Sequence, residues 1–224
     1  HSFPTRRSSD LMLQNQTEEE FADSRFQVLS ELTRLRQLCC DPALVYENYE
    51  GGSAKLDLCI ELIQSAVESG HKILLFSQFT SMIEILTARL QEESISCFVL
   101  QGSTKKEQRA QMVEQFNRDD TSVFCISLKA GGTGLNLTGA DIVIHYDPWW
   151  NVAVENQATD RAHRIGQKNV VTVYKLIAKG TIEEKIIKLQ QMKKELAEEI
   201  LSGDEIKTAS FQREELLELL EERF

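Results

Sequence analysis

The stretch from Gln157 to Gln167 reads QATDRAHRIGQ and follows an apolar run that predicts a strand. On a helix, Gln157, Arg161 and Arg164 stand at positions i, i+4 and i+7, so they share one face. Arginine stays protonated and presents planar, bidentate donors, which suit a phosphoryl group that gains negative charge during transfer. The pattern therefore indicates a triphosphate site. In the alternative interpretation, Asp160 pairs with Arg164 and the run is a solvated helix surface.

Short apolar segments alternate with amphipathic ones through the middle of the chain, which is typical of βαβ units and a parallel sheet. We predict strands over 72–76, 96–100, 122–126, 141–146 and 170–176, and helices over 80–92, 104–117 and 151–165. The nearly continuous apolar character of the strands favours burial on both faces. The pattern Thr104-x-x-Glu107 predicts a capping box for the second of these helices. The expected fold class is therefore α/β, a parallel sheet with helices on both faces.

Further helices are predicted on both sides of the sheet. Residues 18–39 and 54–69 read as helices, and Thr181-x-x-Glu184 opens a long charged helix that ends near Leu201. We expect these flanking helices to be braces rather than core. The predicted organisation is a disordered leader or scar (1–16), N-terminal linking helices (17–70), the sheet domain (71–180), a brace helix (181–203) and an acidic helical tail (204–224).

The loops after the predicted strands carry most of the candidate site residues. Open α/β sheets bind ligands at the carboxyl ends of their strands, where loop and helix amides are left unpaired. Ser77 and Gln78 follow the first strand, Gly102 and Ser103 the second, Lys129 to Asn136 the third, and Trp149 to Asn151 the fourth. Residues that are scattered along the sequence are therefore expected to meet at one edge.

Two of these loops have the composition of phosphate-binding turns. The glycines of 131–134 permit positive φ angles and close backbone approach, so that consecutive amides can surround a phosphate oxygen. A tight connection without ligand contact explains the same residues equally well. Gly102 and Ser103 can donate to a phosphate with Lys105 and Lys106 nearby, or they can serve as an ordinary helix start.

The aromatic and histidine residues near the fourth strand have two interpretations each. Trp149 and Trp150 can contact sugar or base, or can fill the seam between sheet and helix. We expect one of them to pack and the other to be exposed. His145 and His163 have no other ligand at metal-binding spacing, so structural hydrogen bonding is expected and no metal site is predicted.

The composition restricts the possible partners. The 224 residues carry a formal net charge of −10 and an isoelectric point near 5.0, so any nucleic-acid site must be local rather than spread over the surface. The sequence contains no GxxxxGK[ST] loop, the element that cradles β- and γ-phosphates. The five cysteines show no C-x-x-C spacing, and no apolar run approaches the roughly eighteen residues of a membrane span. No membrane partner is therefore expected, and the setting is expected to be cytosolic or nuclear.

Five segments carry a family resemblance. They are LLFSQFT (74–80), LQGSTKKEQR (100–109), SLKAGGTGLNLTGAD (127–141), DPWWN (147–151) and QATDRAHRIGQ (157–167). In this order they resemble the motifs of the second ATPase lobe of SWI/SNF-type DNA translocases, a branch of helicase superfamily two. The likeness extends through LTRLRQLCCDPALV (32–45) and YKLIAKGTIEEKIIKLQ (174–190). The family usually has proline after DPWWN, where this chain has Val152.

The resemblance implies a C-terminal RecA-like lobe that completes an ATP site held by a first RecA-like lobe of the same full-length protein. The implied cofactors are ATP and Mg²⁺, the latter held mainly by that first lobe, and the implied partner is the backbone of double-stranded DNA. We expect catalytic roles for Arg161 and Arg164 and ATP contacts from Gly134, Asn136 and Gln157. The residues expected to contact DNA are Ser77, Gln78, Gly102, Ser103, Ser127, Lys129, Thr133, Trp149, Trp150 and Asn151.

By itself such a half-site is expected to be inactive as an ATPase. In the cell it would be associated with the nucleoid in the cytoplasm of a bacterium, or nuclear in a eukaryote. The alternative function is an ATP-independent interaction domain that docks a protein partner through its acidic helical tail. Leu216, Leu217, Leu219 and Leu220 give that tail a short apolar stripe, although the tail can also pack on its own domain or fray.

Overall fold

The computed structural model describes residues 18–128, 130, 135–163, 167 and 169–200, and within these the side chains of residues 28–194. The chain divides into two compact units. The sheet unit runs from Cys40 to Ala178, and the flanking unit consists of the described residues before and after it. Every candidate site residue that the structure describes lies in the sheet unit.

The elements follow the predicted alternation of strands and helices. In chain order they are α1 (Glu18–Cys40), a 3-10 turn (Pro42–Leu44), α2 (Ala54–Glu68), β1 (Ile73–Ser77), α3 (Thr80–Glu92), β2 (Cys97–Leu100), α4 (Lys106–Arg118), β3 (Val123–Ser127), β4 (Ile142–His145), α5 (Val152–Thr159), β5 (Thr172–Lys175) and α6 (Ile182–Ile200). All five predicted strands are confirmed to within two residues at each end. The observed helix α5 is much shorter than the predicted one.

The strands form one parallel sheet in the order β2-β3-β1-β4-β5. Side chains of successive residues enter opposite layers of core. Leu75, Cys125 and Ile144 pack with α2 and α3, whereas Phe76 and Phe124 pack with α4 and α5 on the other face. This alternation follows from the two-residue period of a strand. The predicted α/β class with helices on both faces is confirmed.

Helix α2 belongs to the core, and the prediction that it is only a brace is wrong. Its buried residues Leu56, Cys59, Ile60 and Ile63 pack in the same cluster as β1, β3 and β4. An apolar stripe with helical period shows that a helix has a buried face, but not which surface covers that face. The expectation therefore failed because the sequence pattern did not identify the packing partner of α2.

Burial on both faces holds for the inner strands and fails at one edge. Every residue of β1, β3 and β4 is buried, while all four residues of β5 are exposed. The apolar run 170–176 therefore marked an edge strand, which pairs with β4 alone among the described strands. Within the described part of the chain, no helix has the length and apolar character needed to cross a membrane.

The two predicted capping boxes have different outcomes. Helix α4 begins at Lys106, and its N-cap residue makes no side-chain cap hydrogen bond. Oγ1 of Thr104 accepts instead from the backbone N–H of Gln101 at 3.1 Å. The predicted capping box at Thr104 is therefore wrong, because this hydroxyl closes the turn before the helix. At α6, Oγ1 of Thr181 accepts from the N–H of Glu183 at 3.1 Å. Glu184 accepts from the N–H of Gly180 at 3.0 Å, and both bonds stabilise the predicted helix start.

Helix α5 begins without the proline that is usual in the family. Asn151 is its N-cap, and Oδ1 of Asn151 accepts from the N–H of Ala153 at 2.9 Å. The helix ends at Thr159, and the N–H of Arg161 donates to the carbonyl of Ala158 at 3.3 Å. Such i→i+3 bonds tighten and close a last turn. Residues 160–163 are therefore a turn rather than the continuation of the predicted helix.

The loop before β4 depends on close packing at Gly139. The side chain of Asn117 accepts from the N–H of Gly139 at 2.9 Å and donates to the carbonyl of Asn136 at 2.8 Å. A Cβ atom at Gly139 would lie 3.0 Å from Oδ1 of Asn117 and 3.1 Å from its Cα. A side chain therefore fits only if the backbone of α4 moves by a few tenths of an ångström.

We expect Gly139→Ala to lower the free energy of unfolding by about 1–3 kcal/mol, because the added methyl group must displace the backbone of α4. Urea denaturation monitored by circular dichroism measures the change. Gly52→Ala is the matched control, since its Cβ would meet its nearest neighbour, Oδ2 of Asp57, only at 4.0 Å. Equal stability of the two variants would contradict the packing described for Gly139.

Candidate functional site

The carboxyl ends of the central strands bring four loops to one edge of the sheet. Ser77 at the end of β1 pairs in register with Ser127 at the end of β3, and Phe76 pairs with His145 at the end of β4. The loops after β1, β2, β3 and β4 therefore start side by side, as predicted. Of the candidate residues, Lys129, Thr133, Gly134 and Arg164 lie outside the described residues.

Ser77 and Ser127 are enclosed at this edge rather than displayed on it. Ser77 is fully buried, and its Oγ donates to Oδ1 of Asp147 at 2.6 Å. Ser127 is 2% exposed, and its Oγ accepts from the N–H of Ala130 at 3.3 Å. Both hydroxyls are closed off by their own loops in the isolated lobe, and the expected DNA contacts of Ser77 and Ser127 stay predictions. They hold the loop backbones in place.

Gln78 is half-buried behind Ser77 and shares the same carboxylate. Its backbone N–H donates to Oδ1 of Asp147 at 3.3 Å. Its side-chain Nε2 is buried and makes no hydrogen bond within the described part of the chain. Gln78 therefore keeps an amide donor that a phosphate oxygen could use, and its expected DNA contact stays a prediction.

Arg109 joins two of the loops, a role that the sequence analysis missed. From α4, its Nε donates to the carbonyl of Thr104 at 2.8 Å and its Nη2 donates to those of Gln101 and Gly102 at 3.3 and 3.0 Å. Its Nη1 donates to the carbonyl of Ala130 at 3.4 Å. One guanidinium thus fixes the loop after β2 against the loop after β3. The quoted segment 100–109 contained this arginine, but a basic residue in a motif does not reveal whether it faces carbonyls or phosphates.

Gly102 and Ser103 are exposed next to the Arg109 hydrogen bonds, as are Lys105 and Lys106. The arrangement leaves their polar groups accessible to a ligand from solvent. Asn136 is also exposed, and its backbone carbonyl accepts from Asn117. The side chain of Asn136 therefore stands at the surface beside the loop after β3.

Arg161 and Gln157 do not share a helix face, which corrects the first expectation. Gln157 is exposed on α5, whereas Arg161 lies beyond the end of that helix and is only 2% exposed. The helical periodicity that aligned them stops at Thr159. The carbonyl of Arg161 accepts from the N–H of Leu137 at 3.1 Å, which ties this turn to the loop before β4. Arg161 is thus an interior residue of the isolated lobe.

The turn after β4 is held by a second buried carboxylate. The N–H of Trp149 donates to Oε1 of Glu155 at 2.7 Å, and Nζ of Lys175 lies 2.6 Å from Oε2. Trp149 and Trp150 are both half-buried, and Trp149 packs against the core on the α4 and α5 face. The expectation of one packed and one exposed indole is therefore met only in part.

Comparison with known proteins identifies the family. The model of the helicase conserved C-terminal domain matches residues 54–166. The C-terminal domain of the Sulfolobus solfataricus SWI2/SNF2 ATPase is 30% identical, with a TM-score of 0.70 over 96% of this chain and 90% of that one. This chain belongs to the helicase C-terminal domain family, in its SWI2/SNF2 branch.

Two further relatives agree with this assignment. An uncharacterized ATP-dependent helicase of Mycoplasma pneumoniae is 45% identical over 202 residues, which cover 88% of this chain and 19% of that protein. The Sulfolobus solfataricus SWI2/SNF2 ATPase core, solved in complex with double-stranded DNA, is 33% identical with a TM-score of 0.67 over 88% of this chain and 43% of that one. The chain spans about a fifth of the length of the curated relatives it matches. It is one lobe of the SWI2/SNF2 type.

His145 of this SWI2/SNF2 lobe is a core residue. Its ring stacks on Phe76 with 5.5 Å between centroids, and its Nε2 lies 3.0 Å from Oγ1 of Thr159. Burial lowers the pKa of His145 to about 4, opposed by the negative charge of Glu155 and assisted by the positive charge of Lys175. Among the residues that the structure describes, no three His, Cys, Asp or Glu side chains converge to hold a metal ion. The structural role predicted for His145 agrees with these contacts.

We expect Arg109→Lys to lower the free energy of unfolding by about 1–3 kcal/mol, because a lysine ammonium cannot span the four carbonyls that the guanidinium fork reaches. Chemical denaturation of this chain measures the loss. Arg118→Lys is the matched control on the same helix, since the Arg118 pair with Glu114 is exposed and such pairs contribute little. An equal, small effect in both variants would show that Arg109 does not hold the loops.

The depressed pKa of His145 predicts a loss of stability in acid. In the unfolded chain the imidazole titrates near its ordinary value of 6.5, so protons bind the unfolded state first as the pH falls. Above pH 6.5 the buried, neutral imidazole costs the folded state nothing. As the pH falls from 7 to 5, the free energy of unfolding decreases by about 2 kcal/mol. We therefore expect His145→Gln to be destabilised at pH 7 but to lose less stability than the wild type on acidification.

Urea denaturation at a series of pH values tests this expectation, with His163→Gln as the control because His163 is exposed. Identical pH dependence of His145→Gln and the wild type would contradict the neutral, buried state of His145.

Proposed function

We propose that this chain is the second motor lobe of an ATP-dependent translocase that moves on double-stranded DNA. The observation that carries the proposal is the convergence of the family's motif segments at the carboxyl edge of one parallel sheet. The likeness to a SWI2/SNF2 ATPase core that was solved with double-stranded DNA gives further support. A ligand at this edge would meet all four loops together.

The ATP site of such a motor would be shared between two lobes. The first RecA-like lobe of the full-length protein would supply the phosphate-binding loop and hold Mg²⁺, since this sequence has no GxxxxGK[ST] motif. This lobe would contribute Gly134, Asn136 and Gln157 to the nucleotide and positive charge to its γ-phosphate. Two of these, Asn136 and Gln157, are exposed and accessible to a second lobe.

Arg164 and Arg161 are the proposed sources of that positive charge. Because Arg161 is buried in the isolated lobe, it would have to turn outward when the lobes close on ATP. Arg164 follows the turn that contains Arg161 and stands three residues further along the chain. Binding energy from ATP and the first lobe would select the closed arrangement in which both guanidinium groups meet phosphate oxygens.

The DNA contacts would be made to phosphates by the exposed parts of the edge. Polar groups would come from the exposed Gly102 and Ser103 with the neighbouring lysines, and polar and aromatic groups from the turn Trp149 to Asn151 and the half-buried Gln78. Lys129 and Thr133 would add to them from the loop after β3. Contacts to the phosphate backbone position a protein without reading bases, so we expect weak sequence preference and strong dependence on salt.

Closure and release would convert ATP turnover into movement. ATP bound between the lobes favours the closed state and hydrolysis removes that preference. If the two lobes grip the DNA backbone alternately, each cycle shifts one lobe past the other along the duplex. This mechanism requires only charge and position from the present lobe, and no general base.

The decisive variants are Arg164→Ala and Arg161→Ala in the full-length protein with both lobes. An arginine that stabilises a phosphoryl transition state is worth on the order of 10³ to 10⁵ in rate, so we expect each variant to lose nearly all ATPase activity stimulated by double-stranded DNA. The unfolding temperature should be lowered in Arg161→Ala, whose side chain is buried.

Arg118→Ala, which removes an exposed arginine of α4, is the control and should retain wild-type turnover. Near-normal DNA-stimulated turnover in both arginine variants would overturn the assignment of these residues. A wild-type protein whose ATPase does not respond to double-stranded DNA would overturn the motor function itself.

The alternative function, a protein-interaction domain that acts through residues 204–224, falls outside the described residues. The relatives named above are ATP-dependent helicases and SWI2/SNF2 ATPases, and none of these likenesses favours the alternative. We therefore retain the motor lobe as the proposed function.

A further inference from the structure

Glu155 is a buried carboxylate that joins three separate elements. It lies in the first turn of α5 and is 1% exposed. One oxygen accepts from the backbone N–H of Trp149, in the turn after β4, at 2.7 Å. The other lies 2.6 Å from Nζ of Lys175, at the end of β5. The turn, the helix and the edge strand thus meet at a single side chain.

Packing alone does not explain a charge at this position. A carboxylate removed from water is unfavourable unless it is paired and hydrogen-bonded, and an apolar residue of similar volume often stabilises such a site at least as well. The side chain of Lys175 is 40% exposed, so the ammonium reaches in from the surface to pair with the buried oxygen. A buried ion pair of this kind is better suited to defining one geometry than to adding stability.

The geometry that it defines connects the proposed DNA contact with the proposed arginines. Helix α5 has eight residues and is therefore roughly 12 Å long. Glu155 and the N-cap Asn151 attach its first turn to the Trp149 turn. At its last residue, Oγ1 of Thr159 lies 3.0 Å from Nε2 of His145, and Arg161 follows two residues later. A displacement of the tryptophan turn would be carried along this short helix to Arg161.

We propose that Glu155, oriented by Lys175, is the positioning residue that couples DNA contact at Trp149 and Trp150 to Arg161, which follows α5. This inference rests on the proposed motor function and adds the regulation of that same site. DNA that shifts the tryptophan turn shifts the first turn of α5 through the hydrogen bond to Glu155.

A purely structural role for the pair makes a different prediction. If Glu155 and Lys175 only stabilise the lobe, their replacement lowers the unfolding temperature and the amount of active protein. It then reduces ATPase activity with and without DNA by the same factor. The ratio of DNA-stimulated to DNA-free turnover separates the two roles, because it does not depend on the fraction of folded protein.

The test uses Glu155→Gln, Lys175→Met and the double variant in the full-length protein. Glu155→Gln keeps an oxygen that accepts from Trp149 but places an uncharged amide against the ammonium. Lys175→Met keeps the aliphatic stem and removes the charge that faces Glu155, whereas the double variant removes both charges of the pair. Glu114→Gln is the matched control, since it breaks the exposed pair with Arg118 on α4, away from the turn.

We expect the stimulation ratio to fall about tenfold in each single variant, a loss within the usual range for coupling between sites. The double variant should fall no further, because both substitutions interrupt one unit. Glu114→Gln should keep the wild-type ratio. Since the double variant leaves neither member of the pair charged, its ratio remains decisive even if a single variant fails to fold.

An unchanged ratio in folded Lys175→Met or in the folded double variant, with DNA stimulation intact in the wild type, would overturn the coupling role and leave the motor function standing. Additive losses in the double variant would overturn the claim that the two residues form one unit. A wild-type protein without DNA stimulation would overturn the motor function, and the coupling inference with it.

Discussion

The parallel pairing of β1 on both of its edges is the constraint on which the rest of the sheet unit depends. Because β1 is buried throughout and is paired in register with β3 and β4, the carboxyl ends of all three strands stop at one line. The points at which the loops leave the sheet are therefore fixed by a buried ladder. Ser77 and Ser127, and likewise Phe76 and His145, are therefore neighbours although they are distant in sequence.

Polar groups that point inward shape this edge. Asp147 accepts hydrogen bonds from Ser77 and Gln78. Glu155 accepts one from Trp149 and pairs with Lys175. The Arg109 guanidinium donates to carbonyls of two loops. Each of these groups replaces water contacts with fixed partners, since a buried polar group without a partner is costly. The described part of the edge is consequently held by its own hydrogen bonds, which the proposed positioning of phosphates would require.

Agreement between sequence and structure was good where local patterns specify the outcome. The strands and α3 were predicted because hydrophobic period and length depend only on neighbouring residues. The end of α5 was not predicted, since QATDRAHRIGQ is helical in pattern yet its turn at Arg161 is bonded to Leu137 across the fold. The burial of Ser77 and Ser127 was not predicted, because a residue's place in a motif does not reveal whether its hydroxyl is covered. Arg109 was overlooked for the same reason.

By itself, the sequence determined the α/β class, the strand sequence along the chain, the family and the clustering of motif loops at one sheet edge. These follow from periodicity and from the geometry of parallel strands, which need no knowledge of distant contacts. Only the tertiary structure decided that α2 is core, that β5 is an exposed edge, that Arg161 lies inside, and that Glu155 ties the tryptophan turn to Lys175. Burial and pairing between residues far apart in the chain depend on packing, so they cannot be predicted from a local sequence pattern.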